Sequence, residues 1–219
     1  MKIKKYKIIM VALGLLATAS VTCGDVLFNN TSPSGPGSFG YFNPFASFGD
    51  SVKIAGASTI NSITIDIDSV YSSYNSGSFT VGFYTIDAGT DTLLHTADDK
   101  IGTLIQSYVA APTTITAGLN TISGFSIDVP TDFIYTVQAG NNMSFLMQSS
   151  TQAATVGTSY NADLYVNFSG ALTTGSSVSY ASFGNVQVRL DGVIPEPATG
   201  SLVLFVLSIG FLVRRQFVD

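Results

Sequence analysis

The 219-residue sequence has no tryptophan, one cysteine and one histidine, and only 11% of its residues are charged. One Cys and one His exclude a disulfide framework and any zinc site built from Cys/His sets. So few charges exclude a charge-rich disordered chain. Nine Lys and Arg in all argue against nucleic acid as a partner, because phosphate neutralisation needs basic clusters. Between residues 24 and 192 Glu is absent, and twelve Asp face three basic residues, Lys53, Lys100 and Arg189, a formal charge of −9. Such a charge keeps an extracellular domain soluble, discourages contact with anionic membranes and is compatible with divalent cations. G-x-S-x-G, P-loop, dinucleotide and EF-hand patterns are all missing. A Ser-His-Asp arrangement would have to use His95, which lies in a polar loop with no obvious orienting neighbour. The chain reads as non-catalytic.

What the middle does contain is Ser, Thr, Gly, Val, Ile, Phe and Tyr, the strand and turn formers. Ile63, Ile65 and Ile67 alternate with Thr64, Asp66 and Asp68, the period of a half-buried strand. Phe79, Val81 and Phe83 alternate in the same way, as do Leu164, Val166 and Phe168, and Val186, Val188 and Leu190. Shorter runs at 125–129, 133–137 and 143–147 add strands, and turn signals such as Gly140-Asn-Asn142 separate them. Eight to ten short strands predict an all-β, antiparallel β-sandwich over 24–192, most simply a jelly roll. The segment from Asn29 to Phe48 is rich in Asn, Ser, Gly, Pro and Phe and reads as a loop covering the sandwich with Phe39, Tyr41, Phe42, Phe45 and Phe48.

Two carboxylate sets stand out. Asp87, Asp91, Asp98 and Asp99 fall between two strands, around Gly89. Calcium takes six to eight oxygen ligands, which Asp side chains and loop carbonyls can supply. The same residues also suit a solvated hairpin loop in which Asp and Gly form turns. The second set, Asp66 and Asp68, shares one strand face about 7 Å apart. Paired carboxylates at such spacing can hydrolyse glycosides, but one must be a buried acid. These two alternate with the isoleucines and belong to the solvent face. Tyrosines such as Tyr71, Tyr74 and Tyr84 could serve as stacking platforms for a glycan in the absence of Trp. Thr-x-Thr ladders of the kind an ice-binding face needs are represented only by Thr90-Asp-Thr92 and Thr114-Ile-Thr116.

The ends are addresses. Residues 1–23 join a basic start, Lys2 to Lys7, to an apolar run from Ile8 and small residues near Ala17-Thr-Ala19 and Val21-Thr-Cys23, the plan of a secretory signal peptide cut by signal peptidase. At the other end, residues 193–219 hold Pro195-Glu196-Pro197, an apolar stretch at about 198–213 and then Arg214-Arg215. Sixteen residues make a helix of about 24 Å, somewhat short of a ~30 Å hydrocarbon core that snorkelling arginines help to match. The arginines mark the cytoplasmic side and leave the β domain outside. This tripartite tail resembles the PEP-CTERM sorting signal, a segment sometimes labelled as an ice-binding protein C-terminal domain. The resemblance implies a Gram-negative source with an exosortase as processing enzyme. It further implies an inner-membrane precursor cut near the motif, and a product at the cell surface or in the extracellular matrix, in association with exopolysaccharide and biofilm. Two functions are therefore expected: a non-catalytic surface or matrix protein, or a lectin-like carbohydrate-binding jelly roll that could depend on calcium. No other cofactor is expected.

Overall fold

In a computed structural model of the chain, residues 24–31, 38–42, 44–94, 96, 98–150, 153–159, 165–177 and 185–195 are described. Among them there is no helix, and every paired strand is antiparallel. The strands are β1 (Asp25–Asn29), β2 (Ser38–Phe42), β3 (Ser47–Lys53), β4 (Ser58–Gly77), β5 (Phe79–Asp87), β6 (Lys100–Val109), β7 (Thr113–Thr114) and β8 (Gly118–Val129). They continue with β9 (Asp132–Ala139), β10 (Met143–Ser150), β11 (Thr158–Ser159), β12 (Tyr165–Asn167), β13 (Asn185–Val186) and β14 (Val188–Val193).

An eight-stranded sheet runs β1-β14-β4-β10-β13, with β2 on β10 and β7 and β8 on β4. A six-stranded sheet runs β11-β3-β9-β5-β6, with β12 on β3. The long β4 anchors the first sheet. Its first half pairs with β14 and β8, and its second half with β10. One core joins the two sheets: Ile63, Ile65 and Ile67 from β4 share it with Phe79, Val81 and Phe83 from β5 and with Val188 and Leu190 from β14. The period-2 pattern thus becomes an inner face, as alternation requires. The turn at Asn141-Asn142 depends on Asn142 at φ 62, a left-handed conformation that Asn tolerates better than most residues.

Two local readings of the sequence are corrected. The segment from Asn29 to Phe48 contains β2 and the start of β3 rather than one covering loop. Within it Phe48 is fully buried, whereas Phe45 is 53% exposed. Every residue of β3 but Lys53 is buried, so both of its faces are covered and no polar alternation betrays it. At 165–168 the inward set was expected to be Leu164, Val166 and Phe168. Val166 is buried in the core as expected and Leu164 lies outside the described residues, but Phe168 is exposed, and Tyr165 is buried as completely as any described residue.

Tyr165 belongs to a second apolar cluster, with Tyr84, Ile101, Ile134 and Leu172, against which Ile86 packs. This cluster lies on the outer face of the six-stranded sheet, and residues 170–177 strap over it. The Gly175 amide donates to the Ile101 carbonyl at 2.7 Å, and the Ile101 amide donates to Ser176 at 2.9 Å. Thr174 Oγ1 donates to Gly102 at 2.8 Å, and Ser47 Oγ donates to Gly170 at 2.6 Å.

Candidate functional site

Strand register brings several features to one pole. β1 begins opposite the end of β14, with Asp25 against Gly192. β14 ends with Val193 against Thr59, beside the end of β8 at Val129. Three residues later β9 starts at Asp132, paired with Lys53. In the second sheet Tyr84 pairs with Ile134, so the end of β5 at Asp87 points the same way. Both chain ends of the domain and the acidic loop 88–99 therefore leave from one pole, and the far half of β4 reaches the other.

The acidic loop closes on itself. Asp87, at the end of β5, pairs with Lys100, and its Oδ1 accepts from the Gly89 amide at 3.3 Å. Asp98 Oδ2 accepts from both the Thr90 amide at 2.7 Å and Thr90 Oγ1 at 2.8 Å. Its Oδ1 accepts from Thr96 Oγ1 at 2.8 Å. Asp91 Oδ1 accepts from the Leu93 amide at 2.8 Å, a turn in which Asp caps its own backbone. Asp99 is fully buried, and its Oδ2 accepts from the Thr96 amide at 3.3 Å. Gly89 makes the closure possible: it sits at φ +62, and a Cβ there would lie 2.5 Å from Asp98 Oδ2. The donated hydrogen bonds, first from the Thr90 amide, then from the Thr90 and Thr96 hydroxyls, hold the Asp98 carboxyl well below the usual carboxylate range. Asp87, Asp91, Asp98 and Asp99 thus share one loop and accept bonds from the amides and hydroxyls of that loop. Among the described residues no group of three or more His, Cys, Asp or Glu side chains is placed to hold a metal ion. His95 lies outside the described residues.

The other sequence candidates separate. Asp66 and Asp68 are half-buried on the outer face of the first sheet, where Asp68 Oδ1 accepts from Gln148 Nε2 at 2.6 Å. Partial burial, then the neighbouring Asp68 charge, pushes the Asp66 carboxyl up. Tyr71 and Tyr74 are exposed on the far half of β4. Tyr84 is not a platform: it is buried beneath the strap and its hydroxyl donates to the Leu172 carbonyl at 3.3 Å. Burial raises its phenol above the ordinary value.

One buried pair was not anticipated. Asp50 on β3 faces Tyr135 on β9, and both are fully buried. Burial, and secondarily the Asp50 charge, raises the Tyr135 phenol well above its ordinary value. The signal was present in the spacing, since Asp50 lies midway between Phe48 and Val52 and shares their inward face.

Pro195, the first residue of the tail motif, is exposed two residues after β14 ends. Glu196, Pro197, Arg214 and Arg215, the apolar segment at 198–213 and residues 1–23 lie outside the described residues. Among the described residues no helix is long and apolar enough to cross a membrane. No family model, no curated protein and no solved structure matches the chain.

Proposed function

We propose that this chain is a non-catalytic exported protein of the cell surface or extracellular matrix, delivered by an N-terminal signal peptide and sorted through a PEP-CTERM-type tail. The observation that carries the reading is the tail itself: Pro195-Glu196-Pro197, then an apolar stretch, then Arg214-Arg215. The fold is compatible with it, because β14 ends at Val193 and Pro195 is exposed directly after it. The architecture we infer is a jelly roll with added strands. Supporting this is a nested set of pairs, β2 with β10, β3 with β9, β4 with β8 and β5 with β6, which together make one long hairpin rolled into two sheets.

In this reading the precursor spans the inner membrane with its arginines in the cytoplasm. An exosortase cuts the tail near the motif, and the β domain is released or attached among exopolysaccharide. Replacing Pro195, Glu196 and Pro197 together by Ala is expected to leave an uncut, membrane-retained precursor, read by fractionation and immunoblotting in a host that carries an exosortase. Release equal to that of the parent chain would remove the sorting assignment while leaving the domain reading intact.

A second reading, a lectin-like carbohydrate-binding module, draws on one observation. Tyr71 and Tyr74 are both nearly half exposed on the part of β4 remote from the chain ends, and exposed Tyr rings are common stacking surfaces for amphipathic ligands. Glycan-array retention lost in Tyr71→Ala or Tyr74→Ala would favour this reading over a passive matrix domain.

A further inference from the structure

From Ile101 to Ile127 the sequence contains no Asp, Glu, Lys or Arg, in a domain that is otherwise strongly acidic. The fold gathers this stretch on one flank. β6 ends the six-stranded sheet, and β8 pairs only with β4 among the described residues. The two strands lie over one another at that flank, where Tyr108 of β6 and Phe125 of β8 bring their ring centroids to 5.2 Å. The strap occupies the outer edge of β6 only at its start, through Lys100, Ile101 and Gly102. From Thr103 onward, no described residue pairs with that edge. Val109 and Leu119 are 63% and 62% exposed; among the described large apolar residues only Leu93, in the acidic loop, matches them.

Exposed edge strands are templates for pairing, and proteins ordinarily blunt them with Lys, Pro or inward-pointing charges. Gly118–Ser123 of β8 has no such guard and runs in unbroken register beside β4 with no charge and no proline, whereas β6 carries Lys100 at the strap and two register irregularities against β5.

We propose that the β6/β8 flank is a self-association surface and that its occupant is a second copy of this chain. The charge distribution selects that partner. Two copies of a domain with formal charge −9 repel each other on most approaches, but here the edge stretches 103–109 and 118–123 carry no carboxylate, the nearest on β4 being Asp66, one strand in from Leu119. Antiparallel pairing of β8 with itself leaves the stretch Gly118–Ser123 free of charge on both sides. Both edges lie on the same flank, so a twofold arrangement that pairs β8 with β8 closes as a dimer rather than an open filament. The inference is independent of the sorting signal.

The test uses the full-length chain in mild detergent, as the parent and as Val109→Lys, Leu119→Lys and the double variant. Oligomeric state is measured by sedimentation over a concentration series, and folding by thermal melting. The expected result is a dimer for the parent and a monomer for the double variant with an unchanged Tm, since lysine at exposed positions costs the fold little. The single variants keep the answer readable if one lysine disturbs folding. A parent that is monomeric at every concentration overturns the proposal. So does a dimer indifferent to both lysines, which would assign assembly to the apolar tail or to another surface.

Discussion

At the scale of single residues, the acidic loop shows how the same carboxylates can serve different chemistry. Asp98 accepts bonds from Thr90 and Thr96 on both of its oxygens, and those donors hold its carboxyl below the usual range. A carboxyl whose folded-state value lies below its unfolded value of about 3.9 binds fewer protons in the folded state than in the unfolded state. Its stabilising contribution is therefore complete above that value and is lost as the pH falls through the folded value. Asp98→Asn is expected to lower the Tm at pH 7 by the same amount in calcium and in EDTA. The difference from the parent should shrink steadily below about pH 4. Thermal melts across that pH range check it. A parent Tm that rises with calcium, and a variant that no longer responds, would assign calcium binding to Asp87, Asp91, Asp98 and Asp99.

At the scale of elements, the strap over the outer face of the six-stranded sheet makes the clearest prediction. Leu172 is 5% exposed and packs in the cluster of Tyr84, Ile101, Ile134 and Tyr165. Leu172→Ala should cost about 2–5 kcal/mol, the range for truncating a buried leucine, whereas Leu172→Met should cost less than about 1.5 kcal/mol. If the strap is held by this cluster, the Ala variant also exchanges the Ile101 and Gly175 amides faster, because their bonds span strap and strand. Unchanged exchange with a lowered Tm would mean that the strap is held by its backbone bonds alone. The strap also marks the limit of what could be read in advance. Alternating strands were legible: the isoleucines of β4 and the Val186, Val188 and Leu190 series are buried as expected, although Gln187, expected on the polar side, is buried as well. β3 was not, because it is covered on both faces and Gly49 and Asp50 break its apolar run. Tyr84 misled for the same reason. Its outward position was readable from Phe83, but the strap that buries it arrives from nearly ninety residues away, beyond the reach of any local pattern. The acidic cluster was legible as a set of residues on one loop. The choice between a chelating and a self-capping geometry rests on which donors face each oxygen, and spacing does not carry that.

At the scale of the whole molecule, the nested hairpin pairs the chain from the middle outward, and the ends are joined last. β1 completes the first sheet against β14, and one side chain fastens it. Asn30 Nδ2 donates to the Val186 carbonyl at 2.7 Å, and its Oδ1 accepts from the Val188 amide at 2.5 Å, across a separation of 158 residues. The amide thus extends β1 by one rung and bridges the junction between β13 and β14, in a site where Asn30 is 2% exposed. Closing so long a loop costs little more than closing one half its length, since the entropy grows only logarithmically, so the clamp opposes a modest penalty. Its removal leaves a buried donor and a buried acceptor unmatched, each costing about 1–3 kcal/mol. Asn30→Ala in the full chain is accordingly expected to lose about 2–6 kcal/mol, a fall in Tm of about 4–24 °C for a chain of this size. Asn30 grips the start of β14, at the end of the ladder away from Val193, so the same variant loosens the junction between β13 and β14. The Val188 amide, which loses its acceptor, should then exchange sooner than in the parent, at a temperature where both remain folded. A Tm and an exchange rate that both match the parent would show that this end of β1 is held by the β1–β14 ladder without the help of Asn30.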